Sequence, residues 1–320
     1  MNKILILFLL LITPEIISSQ DEPPEVPDGY SSITMMKIAY FFGTLDLIEK
    51  DFPVPDDIEE YIDIVYRTID SIELKLDIYH SKNITGSAPL LVFFHGGGYQ
   101  KGDKHDYLRY LVDYARKGYV TATVQYRFVD KVKFPGQLLD AKAAIRWLKQ
   151  NADNYHIDNE KIAVIGGSAG GHLAMMVGYT SDVSEFDIED NDSLISSRVQ
   201  AVVDFYGPAD HTTEYAREHK IIKKLIGKSY DEAYEIYFQS SPVKHLTKDD
   251  PPTLIFHGTL DELVPVSQSD SLKNRLDRIG IPAEYHRLKG WPHTMDLSVE
   301  VNEYCQYFMD RFFEKYLTRK

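Results

Sequence analysis

Five short, almost continuously apolar segments do most to constrain the fold of this 320-residue chain: LLVFFHGGG, VTATVQYR, IAVIGGS, AVVDFYGP and TLIFHGTLD. Such runs are typical of parallel strands that are buried on both faces of a sheet. Helical patterns separate several of them, for example over residues 139–148 and 272–279. The alternation predicts an α/β fold in which helices cover both faces of a mostly parallel central sheet. Residues 72–78 instead alternate apolar and charged side chains, which predicts a half-exposed antiparallel strand.

The chain divides into three predicted parts. Residues 1–20 contain a lysine, a short apolar run from Ile4 to Ile12 and small polar residues, a pattern typical of a secretory signal peptide. The apolar run is too short to span a bilayer, so we expect a secreted or periplasmic protein without membrane association after cleavage. The alternative is an uncleaved membrane anchor. Residues 21–60 are expected to form an N-terminal arm and a helix that pack on the body. Residues 61–320 would form the main domain, with a small helical cap inserted around residues 209–246.

The charge of the chain excludes one class of partner. There are 35 Lys and Arg residues against 49 Asp and Glu residues, a formal net charge of −14. This field repels phosphate backbones, so nucleic acid is not an expected partner. Cys305 is the sole cysteine and lies in an apolar helical pattern, which predicts a small buried residue. Oligomeric state is left open.

A serine lies among glycines where one predicted strand passes into a helix, in the stretch IAVIGGSAGGHLAM. A strand, a sharp turn and a helix can present the Ser168 hydroxyl clear of the sheet, as in a nucleophile elbow. A serine hydroxyl is a weak nucleophile at neutral pH, and it needs a base that a third group orients. The motif therefore indicates a catalytic serine only if a base and an orienting acid exist elsewhere in the chain.

Later loops supply candidates for both partners. Asp261 follows a strand in LIFHGTLDELVP, with Glu262 and Asp210 as the alternative acids. His293 lies in LKGWPHTMD, in the loop between the last strand and the last helix, where the base of such an enzyme is expected. His172 is the local alternative because it follows the serine by one helical turn, but the elbow would point the serine away from that helix. We therefore expect His172 to be structural.

The segment FFHGGGY predicts a source of backbone donors for a developing oxyanion. The amides of Gly97 and Gly98 can approach a substrate carbonyl closely, together with the amide of Ala169 after the nucleophile. His95 is expected to brace this loop. Since this chemistry needs only side chains and backbone amides, no metal or cofactor is predicted.

Over residues 72–313 the chain resembles α/β-hydrolase esterases of the hormone-sensitive-lipase-like and acetyl and feruloyl esterase-like branches. The matching pieces are HGGGYQKGDK, GYVTATVQYRF, FPGQLLDAKAAIRWLKQNA, IAVIGGSAGGHLA, PPTLIFHGTLDELVPVSQS and WPHTMD. The resemblance implies an α/β-hydrolase fold, structural roles for Arg127 and Asp140, and a catalytic triad of Ser168, Asp261 and His293.

Two positions depart from the family pattern. Tyr99 stands where the family often has tryptophan after the third glycine, and WPHTMD lacks the glycine that often follows the histidine. Since both positions line the pocket in such enzymes, these departures bear on substrate preference. Tyr99 and Trp291 are the predicted substrate-binding residues.

The expected function is that of a secreted serine carboxylesterase acting on short-chain acetyl or feruloyl esters, including those of polysaccharides. Its partner would be a small ester or an acylated carbohydrate. One alternative is a peptidase, because GTLDELVPVSQS also resembles prolyl-oligopeptidase-like enzymes, although the large extra domain of those enzymes is not evident. Another is a hydrolase fold that has become a non-catalytic binding protein.

Overall fold

One eight-stranded sheet forms the centre of the protein. The computed structural model describes residues 22–187 and 195–318, so the predicted signal peptide lies outside the described residues. The strands are β1 (Ile58–Ile69), β2 (Ile72–Ser81), β3 (Ala88–Phe94), β4 (Val120–Val124), β5 (Ile157–Gly167), β6 (Ala201–Phe205), β7 (Thr253–Gly258) and β8 (Ala283–Leu288).

The order of the strands is β1-β2-β4-β3-β5-β6-β7-β8. β2 is antiparallel to both of its neighbours, β1 and β4, whereas all of the remaining pairs are parallel. The predicted mostly parallel sheet is confirmed, and so is the antiparallel strand at residues 72–78. The carboxyl ends of the parallel strands therefore meet along one edge, where ligand sites of open α/β sheets gather.

Helices cover the sheet on both sides, as predicted. They are α1 (Ile33–Phe41), α2 (Leu108–Arg116), α3 (Gly136–Gln150), α4 (Ala169–Tyr179), α5 (Glu214–Glu218), α6 (Lys220–Ile226), α7 (Tyr234–Gln239), α8 (Ser267–Ile279) and α9 (Val299–Phe313). Among the described residues, no helix is both long enough and apolar enough to cross a membrane.

Alternating side chains of the strands point to opposite faces of the sheet and belong to two separate hydrophobic cores. In β3, Leu90 and Val92 belong to the core that also contains residues of α3, α4 and α8. Leu91 and Phe93 point into the opposite core, which contains residues of α2 and α9. Cys305 is fully buried in that second core, which confirms the prediction of a small buried residue. The fold is thus the predicted α/β-hydrolase arrangement.

An ion pair fixes the loop after β4 to α3. Arg127 donates from Nε and from a terminal nitrogen to the two carboxylate oxygens of Asp140, at 2.8 and 2.9 Å, and Asp140 is fully buried. Arg67 of β1 donates to the same carboxylate at 2.8 Å. Removing either Arg127 or Asp140 would leave the other charge buried without this counter-ion. This fits the structural roles that the resemblance implies for Arg127 and Asp140.

Residues 22–57, here called the arm, lie against the loop that follows β8. The indole Nε1 of Trp291 donates to the carbonyl of Pro27 at 3.0 Å, and the Tyr30 amide donates to Gly290 at 2.8 Å. Farther along, the Ile48 amide donates to Leu297 at 2.8 Å. Between these anchors α1 has no buried residue. The arm is thus held at the same edge of the sheet as the loop that carries the predicted base.

The segment predicted as a cap, residues 209–246, contains α5, α6 and α7 and connects β6 to β7. The division of the chain into arm, main domain and cap stays a prediction, because no observation tests whether these parts behave as separate units.

Candidate active site

Ser168 occupies a strained turn between β5 and α4. Its backbone has φ 58° and ψ −118°, a region that residues other than glycine rarely adopt. The turn is tight because α4 starts directly against β3: a Cβ added to Gly170 would lie 1.9 Å from the carbonyl oxygen of Phe94. Glycine at this position lets the helix approach the strand, and the nucleophile-elbow geometry predicted from the sequence is present.

His293 and Asp261 form a short hydrogen bond. Nδ1 of His293 lies 2.6 Å from Oδ2 of Asp261, and the carboxylate side chain is fully buried. An acid at Nδ1 fixes the tautomer whose Nε2 is free to accept a proton. The structure therefore brings these two residues together, although they lie 32 positions apart in the chain.

Several donors hold the Asp261 carboxylate in place. Oδ1 accepts from the backbone N–H groups of Leu263 and Val264 at 2.9 and 2.8 Å. Nε2 of His257 lies 3.1 Å from Oδ2. Burial by itself would raise the pKa of Asp261, but the hydrogen bonds from His257, His293 and the backbone outweigh it and hold the pKa well below its usual range. The carboxylate is therefore ionised at neutral pH.

The alternative candidates have other partners or other surroundings. Asp210 pairs with Lys244 at 3.2 Å, and Glu262 is exposed. Nε2 of His172 donates to the carbonyl of Ser240 at 2.7 Å, and burial lowers the pKa of His172 to about 4. The expected structural role of His172 is confirmed.

Ser168 and His293 line one cavity of about 500 Å³, which Gly97 and Gly98 also line. Ala169 is the buried first residue of α4, directly after the serine. His95 braces the glycine loop as expected: its Nδ1 lies 2.8 Å from the Gly96 carbonyl, and its ring stacks on Tyr126. The predicted nucleophile, base and glycine loop thus meet in one place.

The two predicted substrate-binding residues lie elsewhere. The Tyr99 side chain is only 2 % exposed, and its ring lies edge-on against His172 beneath the glycine loop. Trp291 is 1 % exposed, and its indole anchors the arm at Pro27. Both predictions of side-chain contact with substrate are therefore corrected, because neither side chain lines the cavity that contains Ser168 and His293.

Sequence reasoning missed many other side chains that line the cavity, and six of them form two sets. Two come from the arm, and four form a polar group: Ile48, Lys50, Tyr107, Tyr110, Tyr206 and Asp296. Two signals could have found the polar group, namely the spacing of Tyr107 and Tyr110 after the glycine loop and the acidic residue three positions after His293. His257, which contacts Asp261, was also missed.

Most of the chain also matches a known family model. Residues 76–276 match the BD-FAE family model. The chain belongs to the BD-FAE family. This finding confirms the resemblance to α/β-hydrolase esterases.

Named relatives are similar over most of the chain. The probable carboxylic ester hydrolase LipM of Mycobacterium tuberculosis is 32 % identical over 69 % of this chain and 53 % of its own length. The chain thus spans about half the length of the curated relatives it matches.

Two solved structures are similar in fold. A truncated carbohydrate esterase from gut microbiota has a TM-score of 0.72 at 26 % identity, covering 84 % of this chain and 100 % of that one. A thermophilic esterase from Thermogutta terrifontis has a TM-score of 0.70 at 27 % identity, covering 83 % and 95 %.

Proposed function

We propose that this BD-FAE family protein is a serine carboxylesterase that hydrolyses short-chain acyl esters, with Ser168 as nucleophile, His293 as base and Asp261 as the orienting acid. The observation that carries the proposal is the 2.6 Å hydrogen bond between His293 and Asp261 at a cavity that the strained Ser168 also lines. The named esterases among its relatives support the same reaction class.

In the proposed reaction, Oγ of Ser168 attacks the ester carbonyl carbon while Nε2 of His293 takes the hydroxyl proton. The C–O bond to the alcohol then breaks, and His293 returns that proton to the departing alcohol oxygen. A water molecule attacks the acyl-enzyme in the same way, and His293 again accepts and returns one proton. Asp261, ionised and held by its backbone donors, stabilises the imidazolium at each step.

The tetrahedral intermediate of each step carries a negative oxygen. The proposed donors to it are the amides of Gly97, Gly98 and Ala169, next to the nucleophile. Preorganised amides of this kind stabilise the transition state because they need no reorientation as charge develops, and losing one typically costs about 2.7–4 kcal/mol.

The proposed substrates are short acyl groups, acetyl above all, carried by carbohydrates. A propionate-bound structure of the Thermogutta terrifontis esterase supports the proposal of a small acyl group. The gut-microbiota carbohydrate esterase supports the proposal of a sugar as the alcohol component. Feruloyl esters are the second acyl class in the proposal. The leader-like segment at residues 1–20 supports export, so a secreted or periplasmic location is part of the proposal.

The test is hydrolysis of p-nitrophenyl acetate by the wild type and by Ser168→Ala. We expect the variant to keep its far-UV circular dichroism spectrum and to lose at least about 10³-fold in kcat. A fluorophosphonate probe should label the wild type and not the variant. Variant activity equal to that of the wild type would overturn the proposal, and absence of both turnover and labelling would favour the binding-protein alternative. Faster cleavage of peptide amides than of esters would favour the peptidase alternative.

A further inference from the structure

One end of the active cavity contains polar side chains that the hydrolytic steps do not use. Tyr107, Tyr110, Tyr206 and Asp296 all line it, and each is at most 7 % exposed. The other lining residues include the glycine loop with Ile221 and Leu263. We call the four side chains the polar subsite.

Asp296 is a carboxylic acid with few partners for so buried a position. Its Oδ1 accepts a hydrogen bond from the Tyr206 hydroxyl. Burial raises the pKa of Asp296, and this hydrogen bond only partly offsets the effect. A buried carboxyl with so few donors gains from further donors in a ligand.

The Tyr110 hydroxyl is buried, and it has no hydrogen-bond partner among the described residues. Almost all buried hydroxyls in folded proteins are paired, so an unpaired one beside a cavity calls for an explanation. The next tyrosine of the same helix, Tyr114, shows the usual arrangement, because its hydroxyl donates to the Gln306 carbonyl at 3.3 Å.

The polar subsite lies directly beside the nucleophile. A Cβ added to Gly167, the residue before Ser168, would lie 2.5 Å from the Tyr107 hydroxyl and 3.0 Å from the Tyr206 hydroxyl. The missing side chain at Gly167 is therefore what allows these two hydroxyls to approach the turn.

The polar subsite also lies on the histidine side of the cavity. The rings of Tyr206 and His293 are 4.5 Å apart, and Asp296 follows His293 by three residues. In ester hydrolysis the histidine gives its proton to the leaving alcohol. Groups beside His293 are thus placed to contact the alcohol rather than the acyl group.

Hydroxyl groups of a sugar fit this chemistry. Tyrosine hydroxyls donate and accept hydrogen bonds, a carboxylate accepts them, and the tyrosine rings offer flat apolar surfaces to a pyranose ring. A cationic alcohol fits less well, because Lys50 lines the same cavity and its charge acts on Asp296.

We propose that the polar subsite binds the sugar that forms the alcohol component of the ester, through the hydroxyl groups of that sugar. Tyr110 and Asp296 determine this specificity. The inference rests on the proposed function. It adds to the hydrolytic chemistry a statement about which leaving alcohol the enzyme prefers. A site built to hydrogen-bond hydroxyls discriminates strongly against an analogue without them, because its own polar groups are then left unpaired.

The test compares kcat/KM for two acetates of similar shape, methyl mono-O-acetyl-xylopyranoside and cyclohexyl acetate. We expect the wild type to prefer the sugar ester, and Tyr110→Phe and Asp296→Asn each to lower the sugar-to-cyclohexyl ratio by about tenfold. The control is Tyr114→Phe, which removes a buried hydroxyl from the same helix away from the polar subsite, and which should leave the ratio unchanged.

Tyr110→Phe decides the matter if Asp296→Asn does not fold, because the Tyr110 hydroxyl has no hydrogen-bond partner to lose in the described part of the chain. A ratio that is unchanged in Tyr110→Phe, in an enzyme that hydrolyses both acetates through Ser168, would overturn this inference and leave the proposed function intact. Failure of the wild type on every ester would instead overturn the proposed function and this inference with it.

Discussion

His257 and His293 approach the same carboxylate oxygen, Oδ2 of Asp261, at 3.1 and 2.6 Å. The first comes from within β7 and is fully buried, and the second comes from the loop after β8 and lines the cavity. Asp261 is therefore fixed by a buried histidine that does not line the cavity, and the same carboxylate oxygen also contacts the proposed base.

This arrangement predicts the effect of Asp261→Asn. The amide cannot stabilise an imidazolium, and it would favour the wrong tautomer of His293, so we expect kcat for p-nitrophenyl acetate to fall by about 10³- to 10⁴-fold. The control is Glu262→Gln, the exposed neighbouring acid, which should keep wild-type turnover. Equal losses in both variants would contradict the assigned role of Asp261.

The strain at Ser168 predicts a difference in stability between two inactive variants. Alanine keeps a Cβ at φ 58°, whereas glycine adopts that conformation readily. Relief of the strain should exceed the entropy cost of glycine, so the free energy of unfolding of Ser168→Gly should exceed that of Ser168→Ala by about 1 kcal/mol. Urea denaturation measures both values, and a less stable glycine variant would argue against strain at this turn.

The anchoring of the arm predicts the effect of Trp291→Phe. The variant loses the hydrogen bond to Pro27 and leaves a smaller ring in a buried position, so the free energy of unfolding should fall by about 1–3 kcal/mol. Because Ile48 and Lys50 line the cavity, KM should rise while kcat changes less. Limited proteolysis should cut within residues 22–57 faster than in the wild type. Trp147→Phe, on α3 away from the arm, is the control and should keep the arm protected.

Asp204 predicts a dependence of stability on pH. Burial raises its pKa to about 8, although the Gly207 amide donates to it at 2.9 Å. In the unfolded chain the same carboxyl releases its proton near pH 4, so between about pH 4 and 8 the folded state binds more protons. The free energy of unfolding then falls as pH rises, by up to about 1.4 kcal/mol per pH unit from this group.

Asp204→Asn removes this contribution. The difference in unfolding free energy between the variant and the wild type should therefore grow in favour of the variant from pH 5 to pH 8, as measured by urea denaturation. Comparing the two proteins also cancels the opposite contribution of the buried histidines. The exposed Asp153→Asn is the control, and a difference that stays constant with pH would contradict the raised pKa of Asp204.

The parts of the site that could be predicted are those with strong local signals. Ser168 and Asp261 each follow a buried apolar strand directly or within a few residues, and His293 lies between the last strand and the last helix. Since the carboxyl ends of parallel strands share one edge of the sheet, the alternation of strands and helices was enough to bring the first two together.

The orientation of Tyr99 was not predictable in this way. Gly97, Gly98 and Tyr99 all have positive φ angles, of 100°, 62° and 60°. Three such residues in succession turn the Tyr99 side chain back beneath the loop, toward His172. No residue type in the segment signals a left-handed conformation at a tyrosine, so the error lay in the direction of a side chain rather than in its position.

The polar subsite and the arm escaped prediction for a different reason. Their cavity-lining residues, such as Ile48, Tyr110 and Asp296, come from segments that are distant in the chain and carry no shared motif. The arm contacts the loop after β8 through backbone hydrogen bonds, such as those of Tyr30 and Ile48, and through packing of a few apolar side chains. Hydrogen bonds between backbone groups depend little on residue type, so they cannot be predicted from the sequence.

The anchoring of the arm has a consequence for how such proteins diversify. The segment from Pro27 to Lys50 contacts the body through a few main-chain hydrogen bonds, the Trp291 indole and packing of Tyr30 and Leu45. It lines part of the cavity without carrying any of the proposed reacting groups. Replacing that part of the lining would reshape the entrance for a new alcohol while the hydrolytic machinery stays as it is. Substitutions at Ile48 and Lys50 can therefore change the shape of the cavity while the proposed reacting groups stay in place.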